Sequence, residues 1–321
     1  MGEFELIERY FKPPVKRAVL AGGDDCALLQ PTPGTQWAIS TDMLVENRHF
    51  LPGADPERLG HKALAVNLSD LAACGARPVA FTLALALPAA DEAWLAPFAR
   101  GLLKLAEAHG CELVGGDTTA GPLNICITVF GEVAAGLAPL RSGARAQDDL
   151  WLSGQVGDAR LALETLRGHH TLTAAALGRV RLRLDCPTPR VALGRSLAGV
   201  ASAAIDVSDG LLGDLGHILR ASHVGAELNT DWIAPGSAAV SADLIALDRD
   251  AALRYALSGG DDYELLFTAA PDRRQAVQQA ALNSATPVTR IGSIRAETGV
   301  VVLDAAGQAI NTRFTSFDHF A

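Results

Sequence analysis

The chain has 321 residues, 49% of them hydrophobic and 20% charged, so it can bury a large core and is too apolar to be disordered. Its 27 Lys and Arg residues against 36 Asp and Glu residues give a formal net charge of −9. This balance argues against nucleic-acid binding, because phosphate contacts need a basic surface. The length suggests about two domains.

Neither a membrane span nor a secretory signal is predicted. The longest uncharged apolar stretch, residues 78–90, is shorter than the roughly 18 residues that a span needs. The N-terminus carries acidic residues early and lacks the apolar segment of a signal peptide. The five cysteines are odd in number and at least 15 residues apart, which indicates neither a disulfide framework nor a thiolate zinc site. A reducing cytoplasm is therefore expected.

Hydrophobic periodicity predicts alternating strands and helices in the first part of the chain. In order, we expect a strand at 37–41, a helix at 56–75, a strand at 78–87, a helix around 94–105 that stops at Gly110, and strands at 111–114 and 123–133. The two long apolar strands lack a polar face, so both of their faces should be covered. We expect helices on one face and a partner subunit on the other.

A stretch with Gly and Pro at residues 136–143 is the predicted domain boundary, which gives domains 1–138 and 139–321. In the second domain, strands are expected at 149–152, 202–207, 263–268 and 288–294, and helices at 211–221 and 272–282. The sequence therefore predicts two α/β domains.

Aspartate follows every Gly-Gly pair of the chain, at residues 22–24, 115–117 and 259–261. Related clusters are Ser40-Thr41-Asp42 at a predicted strand end, Asp206-Val207-Ser208-Asp209-Gly210 at a strand-to-helix junction, and Asp70 inside an apolar helix. Taken singly, each glycine-rich cluster is also explained by a turn or a helix cap, and Asp209 by an N-cap alone. Taken together, carboxylates beside glycines favour a site for Mg²⁺, which binds carboxylate and phosphate oxygens.

Other phosphate-binding and catalytic motifs are absent from the sequence. No Gly precedes a Lys, so there is no Walker A loop, and neither a His-Arg-Asp loop nor a Gly-x-Gly-x-x-Gly fingerprint after a strand occurs. Without a His-Glu-x-x-His pair or a Gly-x-Ser-x-Gly elbow, zinc chemistry and nucleophilic catalysis are not indicated. Arg141 is a candidate phosphate contact, with a solvated surface arginine as the alternative.

These motifs resemble the thiamine-monophosphate kinase family, in the superfamily of aminoimidazole ribonucleotide synthetase, selenophosphate synthetase and the hydrogenase-maturation dehydratase. The resemblance runs from residues 3–7 to residues 317–320. Its motifs are Gly23-Asp24-Asp25-Cys26-Ala27, Ser40-Thr41-Asp42, Asn47-Arg48-His49-Phe50, residues 62–70, Gly115-Gly116-Asp117-Thr118-Thr119, Arg141-Ser142-Gly143-Ala144, Asp206-Val207-Ser208-Asp209-Gly210 and residues 258–265.

The resemblance implies a cytoplasmic enzyme that transfers the γ-phosphoryl group of ATP to thiamine monophosphate, with several Mg²⁺ ions and no catalytic acid or base. The implied metal ligands are Asp25, Ser40, Thr41, Asp42, Asp70, Asp117, Asp206 and Asp209. The implied nucleotide contacts are Gly116, Asp117, Arg141 and Ser208, and the implied substrate contacts are His49, Asp261 and Phe317. This chain has Asp261 where the family usually has Glu, and Phe317 where Trp or Tyr is common.

The implied fold is the two-domain α/β (α+β) fold of aminoimidazole ribonucleotide synthetase. Its N-terminal domain binds ATP and Mg²⁺ and pairs its sheet with a twin across a homodimer, and its C-terminal α/β domain completes the active site. Phe317 would stack on the cationic rings of the substrate, with a hydrophobic anchor as the alternative. Two rival functions remain, namely another ATP-dependent enzyme of the superfamily and a non-catalytic sensor of a phosphorylated ligand.

Overall fold

The computed structural model describes residues 2–21 and 25–310. The chain divides into two compact units, one formed by residues 1–71 and 76–136 and the other by residues 72–75 and 137–321. Among the described helices, none combines the length and the apolar character that crossing a membrane requires.

The first unit contains one antiparallel and parallel mixed sheet with helices on one face. Its elements are α1 (Glu3–Tyr10), β1 (Thr35–Val45), α2 (Pro56–Ala73), β2 (Arg77–Leu87), α3 (Glu92–His109), β3 (Glu112–Ala120) and β4 (Asn124–Ala134). The last two residues of α2 belong to the second unit. The strand order is β1-β4-β2-β3, so β1 and β3 are the two edges of the sheet. Only β2 and β3 pair in parallel.

The two faces of this sheet differ in burial. Leu83, Leu85, Ile125 and Ile127 are almost fully buried, as are Leu64 and Leu68 of α2 and Leu95 and Leu102 of α3. On the opposite face, Ile39 and Met43 are 59% and 52% exposed. The predicted helix layer is therefore confirmed, and it covers one face. Large apolar side chains on the other face remain open to solvent within the single chain.

The second unit contains a six-stranded sheet in the order β10-β7-β9-β5-β8-β6, in which only β10 and β7 are parallel. Its strands are β5 (Asp149–Ser153), β6 (Ala203–Asp206), β7 (Gly225–Asn229), β8 (Leu265–Ala269), β9 (Val288–Arg295) and β10 (Gly299–Leu303). Its helices are α4 (Asp158–Leu166), α5 (Ala174–Asp185), α6 (Val191–Leu197), α7 (Leu211–Ser222), α8 (Ala242–Ile245), α9 (Arg249–Ser258) and α10 (Arg274–Asn283).

Helix packing in the second unit surrounds a large apolar core. Helix α4 packs on α5, α7 on α9, and α10 on α6. Side chains of β5, β6 and β8 such as Leu150, Ile205 and Leu266 join Leu215 of α7 in this core. The β6–α7 junction, which carries part of the predicted site, therefore starts from a well-buried strand.

Several sequence predictions are corrected by the fold. Residues 115–117, expected in a turn, lie inside β3, because β2 pairs with them in parallel and extends the strand. Asp42 also lies within β1 and not at its end. Helix α7 begins after Gly210 and has no side-chain N-cap, so the interpretation of Asp209 as its cap is wrong. Gly110, in the left-handed conformation, ends α3 as predicted.

Candidate active site

Strand β1 and helix α2 hold four of the predicted metal ligands of the first unit, namely Ser40, Thr41, Asp42 and Asp70. The Ser40 hydroxyl donates a short hydrogen bond to the carboxylate of Asp70. The backbone N–H of Asp42 donates to Oδ1 of Asn67 at 3.0 Å, and the Asn67 amide in turn donates to the Ala63 carbonyl at 2.9 Å. Asn67 is buried, so this amide fixes the acid-bearing part of β1 against α2.

Thr41 is separated from Ser40 and Asp42 by the alternation of side chains along a strand. Its hydroxyl lies 2.8 Å from the hydroxyl of Thr128 on β4, in an exposed position. Side chains of the run Ser40-Thr41-Asp42 therefore point to both faces of the sheet. This arrangement keeps the Thr41 side chain away from the Ser40 and Asp70 pair.

A second group of predicted ligands lines a cavity of about 730 Å³ in the first unit. Asp25, Gly116 and Asp117 are among its lining residues, together with Lys12 of the segment after α1. Asp117 and Asp25 are exposed. With Glu8 also in its lining, the cavity combines three carboxylates and one ammonium group with room for a nucleotide-sized or smaller ligand.

Gly116 has a structural reason to be glycine. Its φ is +150°, and a Cβ atom at this position would lie 1.9 Å from the carbonyl oxygen of Leu83 on β2. Only glycine allows β2 and β3 to pair this closely. The same absence of a side chain leaves the Gly116 backbone accessible from the cavity, where the resemblance places the nucleotide.

Asp42 and Asp117 belong to opposite edges of the sheet. With β4 and β2 between them, and neighbouring strands about 4.8 Å apart, their backbones are separated by roughly 14 Å. Within residues 2–21 and 25–310, no three His, Cys, Asp or Glu side chains lie close enough together to hold one metal ion. The described acids of the first unit therefore form separate groups.

His49 lies in the turn that follows β1. The backbone N–H of Val45 donates to its Nδ1 at 2.9 Å, so Nδ1 is the unprotonated nitrogen and the neutral ring carries its proton on Nε2. The N–H of His49 also donates to the Val45 carbonyl at 2.9 Å. The ring is therefore held in one orientation beside the end of β1.

In the second unit, the β6–α7 loop is held by a buried acid that sequence reasoning missed. One carboxylate oxygen of Asp214 accepts the backbone N–H groups of Ser208, Asp209 and Gly210 at 3.0–3.1 Å. Asp214 is 2% exposed. Burial, together with the charge of Asp209, raises the pKa of Asp214 to about 7. The loop carrying two predicted ligands is thus anchored from the first turn of α7.

The last Gly-Gly-Asp segment runs beside this loop. The N–H of Asp261 donates to the Ser208 carbonyl at 2.8 Å, and the N–H of Tyr263 donates to the Val207 carbonyl at 2.8 Å. Asp261 and Tyr263 both have positive φ, and the Tyr263 hydroxyl donates to the Asp261 carboxylate at 3.1 Å. The predicted substrate contact Asp261 is therefore adjacent to Ser208 and Asp209.

Two further acids behind this segment are buried and were not predicted. Both carboxylate oxygens of Asp262 accept the N–H of Gly157, at 2.9 and 3.1 Å, and burial raises the pKa of Asp262 well above its usual value. Glu264 is fully buried and accepts hydrogen bonds from Ser153, Arg183 and Arg190. A signal existed in the sequence, because acids next to the apolar run of β8 need partners.

Arg141 is exposed, and its carbonyl accepts the Ser222 hydroxyl at 2.8 Å. Burial and the charges of Arg220 and Arg141 lower the pKa of His217, whereas Asp209 acts on it in the opposite direction. Arg141 and Asp209 thus belong to one charged neighbourhood of the second unit. Phe317, the remaining predicted contact, lies outside the described residues.

Family comparisons agree with this two-unit arrangement. Residues 23–133 match the N-terminal domain of AIR synthase related proteins, and residues 165–304 match their C-terminal domain. The fold class is therefore a mixed α/β protein with two domains of the AIR synthase type.

Individual relatives narrow this class. The chain is 42% identical to the thiamine-monophosphate kinase of Salmonella typhimurium over all of this chain and 98% of the relative. The crystal structure of the enzyme of that name from Stenotrophomonas maltophilia is 44% identical, has a TM-score of 0.84, and covers 96% of each chain. A structure of AaThiL complexed with AMPPCP and TMP is 28% identical with a TM-score of 0.77, over 99% and 96% of the two chains. The chain belongs to the thiamine-monophosphate kinase family.

Proposed function

We infer that the protein transfers the γ-phosphoryl group of ATP to thiamine monophosphate, giving thiamine diphosphate and ADP. The observation that carries this conclusion is 42% identity to a thiamine-monophosphate kinase along the full length of both chains. A structural relative binds AMPPCP, an ATP analogue, together with TMP. ATP is accordingly the co-substrate and thiamine monophosphate the acceptor.

We propose that the residues implied by the sequence hold Mg²⁺, namely Asp25, Ser40, Thr41, Asp42, Asp70, Asp117, Asp206 and Asp209. The donor set fits, because every member offers oxygen, the ligand that Mg²⁺ prefers. Since no three acidic side chains converge among the described residues, water and phosphate oxygens would supply the remaining ligands. Bound Mg²⁺ would neutralise the charges of donor and acceptor phosphates.

The protein side chains need not remove a proton from the acceptor. A phosphate monoester has a second pKa of about 6, so it is largely ionised at neutral pH. The carboxylates then act by binding metal, and no phosphoenzyme is required. Gly116, Asp117, Arg141 and Ser208 would bind the nucleotide, and His49, Asp261 and Phe317 the acceptor.

The roles of the two domains are also proposals. Residues 1–138 would bind ATP and Mg²⁺ and form a homodimer, and residues 139–321 would complete the active site. The exposed Ile39 and Met43 support the dimer, because a twin sheet would bury this apolar face. A cytoplasmic location rests on the cysteine pattern, and all five cysteines are free thiols.

The deciding experiment is an ATP turnover assay with thiamine monophosphate, thiamine or no acceptor, with and without Mg²⁺, and direct detection of thiamine diphosphate. We expect thiamine diphosphate to form only when both thiamine monophosphate and Mg²⁺ are added to the protein and ATP. ATP hydrolysis or transfer to another acceptor would favour a different enzyme of the superfamily, whereas binding of ATP without turnover would favour a sensor.

A further inference from the structure

The loop between β6 and α7 is hydrogen-bonded along two sides of its backbone. It carries Ser208 and Asp209, which the proposed function assigns to the nucleotide and to Mg²⁺. On one side, the Val207 and Ser208 carbonyls accept N–H groups of the last Gly-Gly-Asp segment and its continuation at 2.8 Å. On the other side, the three successive N–H groups of residues 208–210 all donate to one oxygen of Asp214 at 3.0–3.1 Å. The conformation of the loop is therefore determined from within the second unit.

The side chain of Asp214 bonds the loop and not the helix that carries it. Asp214 is the fourth residue of α7, and all three of its donors precede the helix. Its own N–H donates to the Gly210 carbonyl at 3.0 Å, so the helix and the end of the loop are bonded in both directions. A helix cap, in contrast, bonds N–H groups of the first turn. Asp214 therefore fixes the loop more directly than it fixes α7.

Packing around the loop leaves only part of it accessible. Ser208 and Asp209 are half-buried, whereas Asp206, the last residue of β6, and Gly210 are buried. Gly210 has a φ of +118°, and a Cβ atom there would lie 2.9 Å from the Ser258 carbonyl. The backbone is thus confined on both sides of the two half-buried residues. Its conformation determines where their side chains lie.

We infer that Asp214 is a positioning residue for phosphoryl transfer, which holds Ser208 and Asp209 in the geometry that binding of nucleotide and Mg²⁺ requires. The inference rests on the proposed function, which assigns those two residues to these ligands. Asp214 is 2% exposed, so it acts through the loop and not by contact with a substrate. Removal of a group that orients a metal ligand typically changes metal affinity or activity by about 10–100-fold.

Hydrogen exchange of the protein without ligands tests the positioning itself. Wild type, Asp214→Ala and Asp214→Asn are compared by mass spectrometry of peptides that cover residues 206–213. The Ala variant loses the acceptor, so the amides of residues 208–210 should exchange at least about tenfold faster. The Asn variant keeps one acceptor oxygen and should exchange more slowly than the Ala variant. Unchanged exchange in Asp214→Ala would overturn the inference.

Kinetics and nucleotide binding test the consequence for the reaction. We expect Asp214→Ala to lower kcat by about 10–100-fold and to lose a similar factor in calorimetric affinity for AMPPCP in the presence of Mg²⁺. Asp214→Asn should recover most of both losses, because its amide oxygen can accept the same N–H groups. An Asn variant as impaired as the Ala variant in exchange, kcat and affinity would contradict positioning by these hydrogen bonds.

Asp158→Ala is the matched control for a loss of stability alone. Asp158 is also a buried acid in the first turn of a helix of the second unit, and it accepts the Ser241 hydroxyl. Its replacement should leave the exchange of residues 206–213, kcat and AMPPCP affinity within about twofold of wild type. Equal losses of kcat and affinity in the two Ala variants would show a purely structural role and overturn the inference.

Two further arms keep the test decisive. If Asp214→Ala does not fold, Asp214→Ser replaces it, because a serine hydroxyl is too short to accept all three N–H groups. A folded wild-type protein without turnover of thiamine monophosphate would contradict the proposed function. Exchange and AMPPCP binding of the variants would then still decide the role of Asp214.

Discussion

The two Gly-Gly-Asp segments within the described residues differ in what surrounds their acids. Asp117 lies in the middle of a strand, exposed, and lines a cavity. Asp262, which directly follows the Gly259-Gly260-Asp261 segment, lies in a loop, is 2% exposed, and accepts the backbone N–H of Gly157. The acid inside the first segment is thus exposed, whereas the acid that directly follows the second segment is buried behind a loop. Local sequence similarity does not determine which function an acid has.

Substitution of Glu264, a buried acid with a structural role, should give the largest loss of stability. Glu264→Ala leaves the partly buried Arg183 and Arg190 without their fully buried carboxylate partner, so we expect a loss of about 3–5 kcal/mol in the free energy of unfolding. Urea unfolding measures it. Glu227→Ala, at an exposed strand position, is the control. A loss below about 1 kcal/mol would show that the arginines find other partners.

Asp117→Asn tests whether the exposed, cavity-lining acid contributes to catalysis. If Asp117 belongs to the proposed nucleotide and metal site, removing its charge should lower kcat by about 10²–10³-fold. Because the residue is exposed, the free energy of unfolding should change by no more than about 0.5 kcal/mol. Kinetics and urea unfolding are measured on the same preparation, with Asp250→Asn as an exposed control. Normal turnover would remove Asp117 from the proposed site.

Asp262→Ala tests the role of Asp262, the buried acid in the comparison with Asp117. Gly157 immediately precedes α4, and loss of the acceptor for its N–H should cost about 1–3 kcal/mol. Asp262→Asn retains an acceptor oxygen and should cost less, which chemical unfolding of both variants would show. Equal losses for the two substitutions would mean that the hydrogen bond does not account for the effect.

The smallest expected effect concerns pH. Hydrogen bonds from Arg274 and Arg290 lower the pKa of the buried Asp149, although burial opposes this. A lowered folded-state pKa stabilises the protein above the unfolded value of about 3.9, and this contribution is lost as the pH falls through the folded value. The arginines are half exposed, so Asp149→Asn should cost only about 1–2 kcal/mol at neutral pH.

The stabilities of wild type and Asp149→Asn should therefore differ by a constant amount from pH 7 down to about 4, and converge as the pH falls further below the unfolded value of about 3.9. Thermal unfolding across this range measures the difference, with the exposed Asp231→Asn as control. A difference that stays constant at still lower pH would indicate lost packing and not lost charge.

Elements with strong periodicity were predictable from the sequence. The bounds of α2 and β2 agree with the predictions to within two residues, because Leu64, Leu68 and Leu71 repeat at helical spacing in α2 and β2 is a continuous apolar run. The short elements α1 and β10 were not predicted, since eight and five residues carry little periodic signal. Gly-Gly at 115–116 predicted a turn, and strand pairing overrode that local preference.

For the site, the residue types determined the chemistry. Aspartates beside glycines, without a Walker lysine, predict oxygen ligands for Mg²⁺, and this prediction needs no coordinates. Only the tertiary structure decided which acids are presented and which are buried. Glu264 is paired with arginines 81 and 74 positions away, and Asp214 is enclosed by a loop that folds back on it. Burial depends on how the whole chain packs, and the charge pairing of Glu264 depends on residues distant in sequence, whereas periodicity and ligand chemistry are properties of the local sequence.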